Sequence, residues 1–123
     1  MLLLLILSGC SISESEIVGT YKLCENNFTF DTLIIYDNHT YKQLLYSKEN
    51  DSLHYTNTGS WRRDKHNRFF FENFNKNEDH ELSKDFNAWE SSLIDTNVPV
   101  KVKNGKVYII LNSDNGIYYE KVE

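Results

Sequence analysis

The chain has 123 residues, the size of one domain, and a formal net charge of −5 at pH 7. Its densest basic cluster, Arg62-Arg63 with Lys65 and Arg68, is outweighed by acidic residues elsewhere, so the electrostatic footprint of a nucleic-acid binder is missing and no nucleic-acid partner is expected. Eight Tyr, seven Phe and two Trp beside one Pro and five Gly favour strand and set a disordered chain aside.

The first element is MLLLLILSGC. Its apolar run, residues 2–7, is far short of the roughly 20 residues that a spanning helix needs. Leu7-Ser8-Gly9-Cys10 resembles the bacterial lipobox, Leu-[Ala/Ser]-[Gly/Ala]-Cys, at every position. The resemblance implies that residues 1–9 are a signal peptide removed before Cys10. The Cys10 thiol would then be diacylated with palmitate-type chains, and the new N-terminus would gain a third. Two or more chains anchor stably, since each buried CH₂ contributes about 0.8 kcal/mol. Cys10 is therefore expected to be an anchor and not a catalyst. A signal peptide opens on a positively charged segment; none stands here, which places the expected natural start upstream of Met1. Residues 10–16 read as a lipidated tether and residues 17–123 as the domain. The expected location is the bacterial cell envelope. Ser11 after the Cys is not an acidic retention signal, and Glu14 and Glu16 resemble acidic export tags, so the outer membrane is the expected leaf of that envelope.

Next, EIVGTYKLC reads as a strand from about Glu16 to Cys24. Cys24 reads as a small buried hydrophobe; with Cys10 acylated, no disulfide partner remains for it within a monomer. DTLIIYD and TYKQLLYS read as strands around a tight turn at Asp37-Asn38-His39. LHYTNTGSWRRD is a longer strand, with a bulge or bend expected at Gly59. RFFFENF follows. Side chains alternate along a strand, so Phe70, or else both Phe69 and Phe71, must be covered by something outside the main core. Over residues 79–93 the period changes: Leu82, Phe86, Trp89 and Leu93 share one helical face. This predicts one short amphipathic helix with a packing role, the cover offered for the outward phenylalanine side. After Pro99, VKVK and KVYI flank Asn104-Gly105, the type I′ hairpin signature, and IYYEKV ends the chain. The fold class is mainly β: an antiparallel up-and-down meander of about eight strands, with one inserted helix, able to close into a barrel that fits side chains or one small ligand.

IVGTYKL, LIIYDNHTY and TGSWRRDKHNRFFF together resemble the small bacterial lipocalin-like lipoproteins. Gly19 and Tyr21 match a Gly-x-[Trp/Tyr] opening strand. Asp37, Thr40 and Tyr41 match an Asp-Gly-Thr-Tyr hairpin, with Asn38-His39 in place of its Asp/Asn-Gly. Gly59 and Trp61 match a second Gly-x-Trp. The likeness covers residues 17–74 and implies a calyx-type barrel; it carries no catalytic residue.

A search for chemistry returns little. His39, His54, His66 and His80 have no zinc spacing, and His39 and His66 read as solvated turn residues. Asp79-His80-Glu81 reads as a solvated helix start. Ser60 in TGSWR lacks the nucleophile elbow. No phosphate-binding glycine loop is present, and Asp64 and Glu72 have no special context. The expectation is no enzyme, no cofactor and no metal. Tyr21, Tyr41, Trp61, Phe70, Tyr108 and Tyr119 are the candidate lining of a cavity, because an apolar body with a polar tip suits an amphiphilic ligand. The competing reading, favoured by dense packing in so small a chain, is that they fill the core. The functional expectation is a monomeric, membrane-anchored lipoprotein binding a small hydrophobic ligand or an envelope component. The alternative is a protein-binding inhibitor or immunity-type lipoprotein, whose acidity would steer it to a basic partner.

Overall fold

Short strands of alternating polarity, separated by turn formers, favour pairing of each strand with the next. The computed structural model describes residues 12–24, 29–47, 53–65, 67–75, 93–112, 114 and 116–123, the side chains at 29, 30, 47 and 54 apart. One helical turn, α1 (Glu14–Ile17), precedes β1 (Gly19–Leu23), β2 (Thr29–Ile35), β3 (Thr40–Ser47), β4 (Leu53–Lys65), β5 (Arg68–Phe74), β6 (Ile94–Lys103), β7 (Lys106–Asn112) and β8 (Ile117–Lys121). Every strand is antiparallel to the next, and β8 pairs with β1, so the sheet closes into an eight-stranded meander barrel. The expected helix over 79–93 lies outside the described residues, except for Leu93, which packs against Leu45 and Tyr55.

The first strand starts later than the sequence suggested. Ser13 accepts from the Glu16 backbone N–H, and the Glu16 carboxylate accepts from the Ser13 N–H at 2.9 Å. This reciprocal capping box satisfies two otherwise orphaned donors and turns residues 14–17 into helix rather than strand. Ile12 and Ile17, flanking that turn, are both buried in the main core. The segment read as part of a tether thus packs against the barrel.

Turn chemistry follows local sequence closely. Asn104 (φ 54°) and Gly105 (φ 80°) both occupy the left-handed region, as the β6–β7 hairpin requires. In the β2–β3 turn His39 takes φ 68°, a position that glycine usually fills; its N–H donates to Tyr36 O at 3.3 Å.

Register sets what faces inward. Tyr21 stands opposite Leu33, Leu33 opposite Gln43 and Gln43 opposite Asn57. Ile35 stands opposite Tyr41, and Tyr41 opposite Gly59. Pairing runs unshifted through Gly59, so no bulge occurs there. Its role is contact: a Cβ on Gly59 would lie 2.5 Å from Glu72 O and 2.7 Å from the Tyr41 ring.

The three consecutive phenylalanines divide by parity. Phe69 and Phe71 are fully buried, while Phe70 faces outward, partly covered. Its cover is Arg62, whose guanidinium carbon lies 4.4 Å from the ring centroid, a cation–π contact with its neighbour across the sheet.

Candidate ligand site

The meander gives the barrel two unlike ends. At one, the β2–β3, β4–β5 and β6–β7 turns meet both chain termini of the described structure. Here residues 12–17 lie across the barrel. The Ile12 N–H donates to Asn67 Oδ1 at 3.0 Å, and Arg63 donates to the Ile12 carbonyl. Lys121 donates to Glu16 O at 2.8 Å, and the Tyr21 hydroxyl to Ile17 O at 2.7 Å. His39 Nε2 lies 3.1 Å from Glu14 Oε1, with its ring stacked 4.5 Å from that of Trp61. His39, expected as a solvated turn residue, is half exposed but engaged on two sides.

Toward the other end the interior changes character. Gln43 is fully buried, and Asp31, Asn57 and Asn75 nearly so. Gln43 is the hub. Its Nε2 donates to Asn75 O at 2.7 Å and to the Tyr119 hydroxyl at 3.3 Å. Its Oε1 accepts from Asn57 Nδ2 at 2.9 Å and from the Asn75 N–H at 3.0 Å. Asn57 Nδ2 also reaches Asn73 O at 2.7 Å. Tyr41 donates its hydroxyl to Asn73 O at 2.9 Å and to the Glu72 carbonyl. A buried side-chain amide with every donor and acceptor used is a rigid structure. Beside it lie Leu45 and Tyr55, a separate apolar cluster at the far end. Polar and apolar side chains are therefore buried side by side there.

Burial raises the phenol pKa of Tyr21, Tyr41 and Tyr119 well above the ordinary value of 10.0; at Tyr119 the nearby Asp31 carboxylate adds to the effect. These hydroxyls are neutral hydrogen-bonding groups, not bases.

Of the six aromatics read as a cavity lining, four face the interior. Tyr21, Tyr41, Trp61 and Tyr119 are all buried. Tyr41 and Tyr119 are joined through Phe74, at centroid distances of 5.5 and 6.4 Å. Trp61 sits toward the plugged end, donating Nε1–H to Tyr36 O at 2.9 Å. The other two are not brought into that group. Phe70 is on the outer wall under Arg62. Tyr108, also outward, meets Tyr118 edge to face at 5.6 Å. Strand alternation is the reason, since Phe69 and Phe71 on β5, and Val107 and Ile109 on β7, take the inward parity. The inward polar residues were absent from the sequence reading. The signal was parity itself: Tyr41-x-Gln43-x-Leu45, Tyr55-x-Asn57-x-Gly59 and Asp31-x-Leu33-x-Ile35 place Gln43, Asn57 and Asp31 on the core face.

Cys24 is half-buried; its thiol donates to Gly116 O and accepts from the Tyr118 N–H, each at 3.3 Å. Cys10, the expected lipidation site, and His66 and His80 lie outside the described residues. Among the described residues no group of three or more His, Cys, Asp or Glu converges as a metal site. No protein-family model matches the chain, and no curated protein matches it in sequence.

Proposed function

We propose that this protein is a non-catalytic bacterial envelope lipoprotein: a lipocalin-like barrel, tied to the membrane through acylated Cys10, that binds a small hydrophobic molecule bearing a polar group. The observation that carries the reading is the amphiphilic interior remote from the plugged end. There the buried Asp31, Gln43, Asn57 and Asn75 adjoin Leu45 and Tyr55. On this reading the polar group of an amphiphile would exchange for part of the bonding among these side chains, which discriminates against a plain hydrocarbon. Residues 12–17 stop the other end.

Displacement of a fluorescent fatty-acid probe tests the binding arm. Micromolar uptake, weakened tenfold or more by Leu45→Asp beside the polar residues, is expected; no saturable uptake would shift the reading to a protein-binding inhibitor acting through the outer surface. For the anchor, Cys10→Ser is expected to move the protein from the membrane fraction to the soluble one. An outer-membrane location is expected for the native protein, and recovery from the inner-membrane fraction would contradict it.

A further inference from the structure

The outer wall of β6, β7 and β8 carries a concavity of about 450 Å³ lined by Lys101, Lys103, Asn104, Tyr108, Ile110 and Tyr118. Register explains why these residues meet. Lys101 stands opposite Tyr108, and Ile110 opposite Tyr118, on three adjacent strands. The two tyrosine rings meet at 75°, so one presents its edge where the other presents its face. This corner accepts a flat ring in either stacked or edge contact.

Its charge is opposite to that of the molecule. In a chain of net charge −5, no acidic residue among those described lines the hollow. The neighbouring carboxylate in register with Tyr108 is Glu120, and Lys106 already holds it at 2.9 Å. That pairing raises the Lys106 pKa, the side-chain hydrogen bond to Glu120 being the largest cause. Among the described residues, Lys101 and Lys103 have no ion-pair partner. Two uncompensated ammonium groups at the rim of an aromatic corner are a receptor for an anion attached to a ring.

The geometry points to a second binding site on this outer wall, taking a small organic anion with a planar ring body: Lys101 and Lys103 hold the anionic group, and Tyr108, Ile110 and Tyr118 hold the ring. The volume falls within the range of small-molecule sites, roughly 300–1,000 Å³. The site shares no residue with the polar interior around Gln43, so it stands independently of any ligand bound there.

The test is an amide NMR titration of the full chain carrying Cys10→Ser, with 2-naphthalenesulfonate and, separately, neutral 2-naphthol at pH 7. The sulfonate is expected to give saturable shifts centred on residues 101–110 and 118–120, and to bind at least tenfold more tightly than the naphthol. The double variant Lys101→Glu, Lys103→Glu should weaken sulfonate binding tenfold or more while its spectrum remains that of the folded barrel. Lys65→Glu, a single charge reversal elsewhere on the surface, should alter it less than twofold. Equal binding of the two probes would overturn the proposal. So would shifts centred on inward residues such as Gln43 and Leu45, or equal losses in the Lys65 and Lys101/Lys103 variants.

Discussion

Gly59 and Gln43 illustrate how single residues specify this barrel. At Gly59 the missing Cβ leaves room for the Tyr41 ring, whose hydroxyl then reaches the Glu72 and Asn73 carbonyls. Gly59→Ala places a methyl against a backbone oxygen and a buried ring, neither of which can yield easily, and is expected to cost about 2 kcal/mol. Tyr41→Phe removes the donor but not the ring. Asn73 O keeps its bond from Asn57, so the loss should be smaller, about 1 kcal/mol. Gln43→Leu conserves volume yet removes the bonds its amide makes to the Asn75 N–H and carbonyl and to Asn57; about 3 kcal/mol is expected. Urea denaturation of the three variants checks both the magnitudes and the order. Gly59 was legible in the sequence, as part of Gly-x-Trp, although it makes no bulge and its structural work is the close approach of Tyr41 and Glu72. Gln43 was not, because a glutamine in TYKQLLYS announces neither face until the parity of its own strand is fixed against a neighbour.

At the scale of elements, turns were the most readable feature and the N-terminal segment the least. Asn104-Gly105 carries its φ requirement in its two residue types alone. The capped turn at Glu14–Ile17 was hidden in SISESE, a run whose polarity suggests a tether, because Ile12 and Ile17 find their burial only once the barrel end exists to receive them. Ile17→Ala is expected to cost about 3 kcal/mol through the cavity it leaves, and Ser13→Ala about 1 kcal/mol through loss of the cap. Hydrogen exchange should show the second effect confined to residues 13–18, and a spread over all strands would contradict a local cap. The Glu16 carboxylate is held below its ordinary pKa of 4.5, first by the Ser13 backbone N–H and then by its hydroxyl. Its contribution is therefore present above 4.5 and lost as pH falls through the lowered value. Protection of the Ser13 amide should accordingly fall in acid before that of the strands. On β5, Arg62 lies over the outward Phe70, a contact across the sheet that strand order alone discloses; the helix that the sequence offered as its cover lies outside the described residues.

Across the whole molecule, closure of β8 onto β1 joins these parts into one interior, apolar beneath the N-terminal segment and polar around Gln43. The eight-strand count and meander order were readable because most connections are short and chemically marked, the long one between β5 and β6 apart. The amphiphilic interior was not, since it depends on which polar residues share parity with the core. Burying three tyrosines inside one barrel also predicts a pH limit. Their folded pKa values are raised by burial, so the stabilising difference is fully present below the ordinary value near 10 and is lost above it. Each such tyrosine should lower stability by about 1.4 kcal/mol per pH unit there. Denaturant midpoints from pH 8 to 11 should stay level and then fall steeply, and a curve flat throughout would contradict the burial. The central claim, that the interior receives an amphiphile, is tested most directly by native mass spectrometry of the Cys10→Ser chain, gently purified and then mixed with palmitate. The account predicts a one-to-one adduct that Leu45→Asp removes. A bare mass at all palmitate concentrations, in a barrel otherwise folded, would mean that the interior is filled by its own side chains and would contradict it.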